Sequence, residues 1–193
     1  MSVKFFLLDV FADLPFQGTQ IPVVVLEQSI PDSTKVSIAS EFKQTETVFV
    51  EKHNKDSPFS VFNNTQKTVF GSHTILAVSY IAHELGLSHD EGAFSALQIH
   101  EKSHVIDSYI DSKDESIGTI QYKRALSPTI DTYTPELSRI AHALNIEEKH
   151  LSYSKYKPLL VSIDHPILIV PVTKAEHVLE ARLNSSEWSE LLS

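Results

Sequence analysis

The stretch from His73 to Leu85 sets the terms for the whole chain. Ile75, Leu76, Ala77, Val78, Tyr80, Ile81, Ala82 and Leu85 leave a helix there apolar on nearly every side. A helix with one apolar stripe can lie on a surface, but one that is apolar all round has to be enclosed. The remaining chain must supply the enclosure, and the pattern predicts a curved sheet. Alternating or β-branched runs mark strands at 4–10, 21–26, 47–51, 59–62, 94–100, 104–110 and 117–124. The first is apolar through Phe5-Phe6-Leu7-Leu8 and is expected in the centre of its sheet. Pro31-Asp32-Ser33 opens a helix over about 33–42, and Gly86 is placed to end the buried helix at C′. Pro15 and Gly18 break a loop over 12–20, His53–Pro58 is a turn, and 111–116 reads as a polar hairpin tip.

Two short segments next to this helix look suited to chemistry. In Gln44-Thr45-Glu46-Thr47-Val48-Phe49-Val50, a carboxylate sits where the helix over 33–42 gives way to a strand. A partly desolvated carboxylate at a strand mouth suits proton transfer, although most such groups are solvated turn residues. In Val69-Phe70-Gly71-Ser72-His73, small residues open the buried helix. Helix starts carry free N–H donors and the positive end of the dipole, so an anion fits there. Ser72 can serve as an ordinary N-cap, which is compatible with anion binding through its N–H. His73 has two readings: local packing at the helix start, or substrate binding and proton relay.

The second part of the chain is sparser. Ala125–Tyr133, with Pro128, reads as a linker. Thr134 as N-cap and Pro135 at N1 start a helix whose buried stripe is Leu137, Ile140, Ala141 and Leu144. Strands follow at 158–163 and 167–172, then a helix from Lys174 to about Leu183 and a last turn at 187–192. Ile21–Leu26 with its turn and helix is echoed by His165–Val170 with its turn and helix.

Composition removes several classes of function. With 193 residues, 41% hydrophobic and 21% charged, the chain can bury a core like an ordinary globular protein. A net charge of −9 argues against nucleic acid. No cysteine is present, so disulfides, thiolate metal sites and thiol catalysis are excluded. The N-terminus lacks a signal peptide's apolar region and no run is long enough to span a membrane, so a cytoplasmic protein is expected. Ten histidines invite a metal site, but His73 and His83 do not share a helical face and no H-E-x-x-H occurs. There is neither a G-x-G-x-x-G nor a P-loop, so no cofactor and no metal is expected.

Several motifs occur in a telling order. Asp9-Val10-Phe11-Ala12-Asp13-Leu14-Pro15-Phe16-Gln17-Gly18-Thr19 follows a pattern D-V-F-x-x-x-P-F-x-G-N. Thr45-Glu46-Thr47-Val48-Phe49-Val50 follows S-E-T-x-F-V, and Phe62 to Ala77 lies without a gap on F-T-P-x-x-E-V-P-F-C-G-H-A-T-L-A. Ser162–Val172 fits S-T-G-L-P-Y-L-L-V-P-V. In these the chain resembles the PhzF-like phenazine-biosynthesis family, which shares the diaminopimelate-epimerase fold. The resemblance covers nearly the whole chain. It implies an α+β fold of two pseudo-symmetric lobes, each a curved mixed sheet around a central helix, with the active site between them. The expected lobes are 1–124, with its central helix at 73–85, and a partial lobe at 125–193. The resemblance places Glu46 as general acid/base, His73 on the family's histidine, and Gly71-Ser72 on its Cys-Gly.

The chain also departs from the family pattern. Thr19 replaces Asn, Phe62-Asn63-Asn64 replaces F-T-P, Lys67 replaces an acidic residue, Ser72 replaces a glycine, and Asp164 replaces another. Thr19 and Ser72 fall on expected substrate contacts and put the substrate in doubt. The family's later E-D-P-A-T-G-S-A-like segment, which supplies the other half of the anion cradle, has no counterpart before Ser193. The diaminopimelate epimerases use a cysteine pair as acid and base, which this chain cannot do. Two functions follow as expectations. The first is a cofactor-independent isomerase or epimerase, with Glu46 moving a proton between carbons of a small carboxylate-bearing substrate held by Thr19 and by the N–H groups of Gly71, Ser72 and His73. The alternative is a non-catalytic module that binds a small anion or a protein, with homodimerisation through the incomplete second lobe.

Overall fold

The computed structural model describes residues 3–12, 14, 16–101, 104–111, 118–163 and 166–191, and the chain divides into two compact units, Met1–Ala125 and Leu126–Ser193. In the first, β1 (Lys4–Val10) and β2 (Thr19–Leu26) pair antiparallel. Helix α1 (Asp32–Phe42) returns the chain so that β3 (Thr47–Glu51) joins β2 in parallel, Val23 opposite Val48. The helix stops at Lys43, which turns left-handed at φ 54°. β4 (Phe59–Phe62) and β5 (Lys67–Thr68) complete a five-stranded sheet in the order β1-β2-β3-β4-β5. Helix α2 (Ser72–Glu84) follows. A second, antiparallel sheet then runs β6 (His89–Asp90), β7 (Ser95–Glu101), β8 (His104–Asp111) and β9 (Thr119–Arg124).

The strand period of two gives the first sheet two apolar faces. Val23, Val25, Val48, Val50 and Val61 meet Ile75, Val78 and Ile81 of α2, and Leu97, Ile99 and Ile106 of the second sheet join the same core. The opposite face, with Val24, Leu26, Phe49 and Phe62, packs on Ala39 and Phe42 of α1. Burial is worth about 1.5–3 kcal/mol for each such side chain, so α2 is the centre of gravity of this unit. Inside α2, Ser79 donates to the Ile75 carbonyl at 2.8 Å and meets Ser108 of β8 at 2.7 Å, so no polar group is stranded there. The helix ends as expected. Gly86 adopts φ 67°, its N–H reaches the His83 carbonyl, and Leu87 reaches back to Ala82 in a Schellman motif.

Two expectations need correction. Among the described residues the enclosure of α2 is made by two sheets, not one. And β1 lies at the edge of its sheet, not the centre. Phe6, Leu8 and Val10 turn toward α2, whereas Phe5 stands edge-to-face on Phe42 at 5.2 Å. Apolarity on both faces of a strand reports cover above and below it. It carries no information about neighbours in the plane of the sheet.

The second unit holds β10 (Thr129–Ile130), α3 (Leu137–Leu144), β11 (Leu159–Ser162), β12 (Pro166–Ile169), α4 (Ala175–Glu180) and α5 (Ser185–Leu191). The three strands form an antiparallel sheet β10-β11-β12, so the expected linker at 125–133 contains a strand. Helix α3 begins two residues after Pro135, with Glu136 extended at its N-cap. The helix expected at 174–183 is shorter, and a second one replaces the expected last turn. Ile140, Ala141, Ala143, Leu151 and Leu191 form the core, joined by Leu168, Val170 and Trp188. On the other face of the sheet Ile130, Ile167 and Ile169 are 63%, 51% and 50% exposed. Pro15, the expected hairpin tip beyond Asp111, Ile117, Asp164, His165 and Leu192 lie outside the described residues. Among the described residues no helix is long and apolar enough to cross a membrane.

Candidate functional site

Glu46 occupies the corner between the left-handed turn at Lys43 and the first residue of β3. Its side chain is only 15% exposed, and its Oε2 lies 2.6 Å from Nε2 of His73. Thr68 of β5 donates from Oγ1 to the other carboxylate oxygen at 3.3 Å. A carboxylate held at two points this way has a fixed direction, and the short bond to imidazole is of the strong, charge-assisted kind when the ring is protonated.

Gly71 is the N-cap of α2, so Ser72 is the first helical residue and not the cap. The backbone of Gly71 is ordinary extended chain, φ −84° and ψ 167°. What glycine leaves here is room for the His73 ring. A Cβ at Gly71 would stand 2.8 Å from Cε1 and 3.1 Å from Nδ1 of His73, because the imidazole folds back over this position. The ring thus stands between the helix start and Glu46. The Ser72 hydroxyl meets the Tyr122 hydroxyl of β9 at 2.6 Å. The N–H groups of Ser72, His73 and Thr74 have no carbonyl partner within the helix.

Behind the loop is a clamp that sequence reasoning missed. Glu101 accepts the Phe70 N–H at 2.5 Å on one oxygen and Arg124 Nη2 at 2.7 Å on the other. Arg124 Nη1 also donates to the Phe70 carbonyl at 3.5 Å. The pair is about nine-tenths buried, so the backbone N–H and carbonyl of Phe70 both face fixed charges. A signal was present. The alternation Ser95, Leu97, Ile99, Glu101 puts the carboxylate in phase with the core residues of β7, and Ile120, Tyr122, Arg124 does the same for β9.

The expected site residues are thus partly gathered. Glu46, His73, Gly71 and Ser72 lie together. Thr19 starts β2, exposed, at the same end of the parallel pair β2–β3 as Glu46, and no hydrogen bond joins its side chain to the pair among the described residues. Gly18 beside it is sterically required, since a Cβ would stand 2.5 Å from the Val10 carbonyl oxygen. A groove of about 610 Å³ between Lys52–Phe59 and the outer faces of β7 and β8 contains none of these residues. Among the described residues no cluster of His, Asp and Glu is arranged to hold a metal ion.

Residues 8–192 match the family model described as phenazine biosynthesis-like protein. The chain belongs to the phenazine biosynthesis-like family. Solved phenazine biosynthesis-like proteins share its α+β, diaminopimelate-epimerase-like fold. A phenazine biosynthesis protein of the PhzF family from Bacillus anthracis superposes with TM-score 0.79 at 20% identity, covering 100% of this chain and 63% of its own. A predicted epimerase from Pseudomonas aeruginosa gives 0.75 at 20% identity, with 100% and 68% covered. A PhzF-family protein from Enterococcus faecalis gives 0.68 at 20% identity, with 97% and 64% covered. This phenazine biosynthesis-like chain therefore spans less than two thirds of the length of the Bacillus anthracis protein. No curated protein sequence matches it.

Proposed function

We propose that the chain carries the proton-transfer half of a cofactor-independent isomerase or epimerase site acting on a small carboxylate-bearing molecule. The observation that carries this reading is the 2.6 Å contact between Glu46 Oε2 and His73 Nε2 at the start of α2. Glu46 takes a proton from carbon and returns it to another position. His73 holds the carboxylate's direction and can share the proton. The N–H groups at the helix start stabilise the negative charge that develops beside the carbon acid. Family membership and the fold support the reaction class, and the Pseudomonas aeruginosa relative described as a predicted epimerase points the same way.

The test is proton exchange. A panel of small chiral and unsaturated carboxylates is incubated in D2O and read by NMR. Deuterium should enter at carbon, and Glu46→Gln should slow that entry by about 100-fold or more with the fold intact. Exchange that survives the substitution removes Glu46 from the chemistry.

A second reading is a non-catalytic protein-interaction module. The exposed Ile130, Ile167 and Ile169 favour it. Exposed apolar surface of this kind ordinarily has a partner. A clean monomer that binds no hydrophobic dye counts against this reading.

A further inference from the structure

Two pairs of hydroxyls tie α2 to the second sheet, and they differ in where their protons go. Ser79 meets Ser108 at 2.7 Å inside the core. Ser79 also donates to the Ile75 carbonyl at 2.8 Å and Ser108 to the Gln121 carbonyl at 3.3 Å, so that pair has an acceptor for every proton. Ser72 meets Tyr122 at 2.6 Å at the start of the same helix. Two hydroxyls hold two protons, and a bond between them uses one. Among the described residues no other group accepts from either oxygen. The second proton of this pair is uncommitted.

The two oxygens are not alike. A phenol O–H donates more strongly than an alcohol O–H. The Tyr122 ring is partly buried against the core, whereas Ser72 is exposed. The favoured arrangement has Tyr122 donating to Ser72 Oγ, which leaves the Ser72 proton facing outward. A hydroxyl that accepts one hydrogen bond donates its own more strongly. Strand β9 is also fixed at this point, since Arg124, two residues past Tyr122, donates to the Phe70 carbonyl at 3.5 Å. Ser72 directly precedes His73, whose Nε2 lies 2.6 Å from Glu46 Oε2. Taking a proton from a carbon beside a carboxylate puts a second negative charge on that group. The backbone N–H groups of the helix start meet part of it. Neither a lysine nor an arginine pairs with Glu46 or His73 among the described residues.

We propose that the Ser72 hydroxyl is a further catalytic donor of this site and that Tyr122 is its positioning residue, an inference that rests on the proton-transfer reading above. As Glu46 takes the proton from carbon, the electron pair of the C–H bond moves onto the substrate carboxylate. Ser72 then donates a hydrogen bond to the oxygen that gains the charge, and no O–H bond breaks. When Glu46 returns the proton, the electron pair moves back and the hydrogen bond weakens. The substrate class that fits is an acid whose own carboxylate activates the neighbouring carbon.

The probes are single enantiomers of lactate, malate and glutamate in D2O, with deuterium entry followed by NMR over a range of concentrations. Ser72→Ala should lower kcat about 100-fold and change KM by less than about threefold, the mark of a donor that acts in the transition state. Tyr122→Phe should lower kcat about tenfold in the same way. Ser72→Thr keeps the hydroxyl and should retain most of the rate. All three variants should unfold in urea near the midpoint of the unaltered chain. Exchange that requires Glu46 but is indifferent to Ser72→Ala overturns this inference alone. So does a loss shared equally by Ser72→Ala and Ser72→Thr, or a change confined to KM. Exchange absent from the unaltered chain, or unaffected by Glu46→Gln, overturns the Glu46 reading and this one with it.

Discussion

The two units use sheets with two apolar faces and cover them differently. In the first, one face of the five-stranded sheet lies on α1 and the other on α2. In the second, Leu168 packs inward beside Ile140 and Leu191, while Ile167 and Ile169 on the opposite face stay about half exposed. Buried Lys/Arg ion pairs occur in the first unit, beside the exposed Lys52–Glu27. Glu101–Arg124 and Lys35–Glu51 in the first unit are buried, whereas Lys149–Glu147 and Lys174–Glu176 in the second are open to solvent. An apolar pattern in a strand states a demand for cover, and only the tertiary structure shows whether the same unit meets it.

The contrast can be broken most sharply at the buried clamp. Arg124→Met leaves the Glu101 carboxylate buried without its cation and should destabilise the first unit by about 3–5 kcal/mol in urea unfolding. A loss below about 1 kcal/mol would mean that the pair is hydrated and the contrast between the ion pairs is false. Next comes the packing itself. Ile81→Ala, fully buried in α2, should cost about 2–5 kcal/mol. Gly71→Ala should cost less than about 1 kcal/mol, because the part-exposed His73 ring can swing away from the new methyl. It should also release the bond to Glu46, read as a change in the His73 ring-proton shifts on NMR.

The smaller effects sharpen the other side. Ile167→Thr should change stability by less than about 0.5 kcal/mol, the ordinary range for a surface position. A cost above about 1 kcal/mol would show that this face is covered in solution. Least of all, Lys149→Ala should raise the titration of Glu147. The hydrogen bond and charge of Lys149 hold that carboxyl below its usual range. A lowered folded-state pKa adds stability above the unfolded value and loses it as pH falls through the folded one. The wild-type contribution therefore fades on acidification below the ordinary glutamate range, and the variant should show less of that slope, with His150 and His177 still lowering the carboxyl.

Much of the first unit was legible because local rules and tertiary needs agree there. The all-round apolar helix, the left-handed Gly86 and the parity of β3 each pointed to one structure. The edge position of β1 was not legible, since Phe5 and Leu7 look the same whether a neighbour lies in the plane or a helix lies above. The short strands β5, β6 and β10 were missed because two residues carry no measurable period. In the site, Glu46 and His73 stood out through motif order. Glu101 and Arg124 did not, although their phase in β7 and β9 marked them as charges facing a core.

The grip of Glu101 and Arg124 on Phe70 also bears on motion. Helix ends are where local opening begins, and the first turn of a helix normally frays at little free-energy cost. Here Phe70, two residues before α2, has its N–H and carbonyl held by a buried ion pair, and the Gly71 carbonyl accepts from Ile75 at 2.9 Å. Fraying would require the salt bridge to open as well. The Phe70 amide should therefore exchange with solvent only on the timescale on which the whole first unit opens, and His73 inherits that stillness.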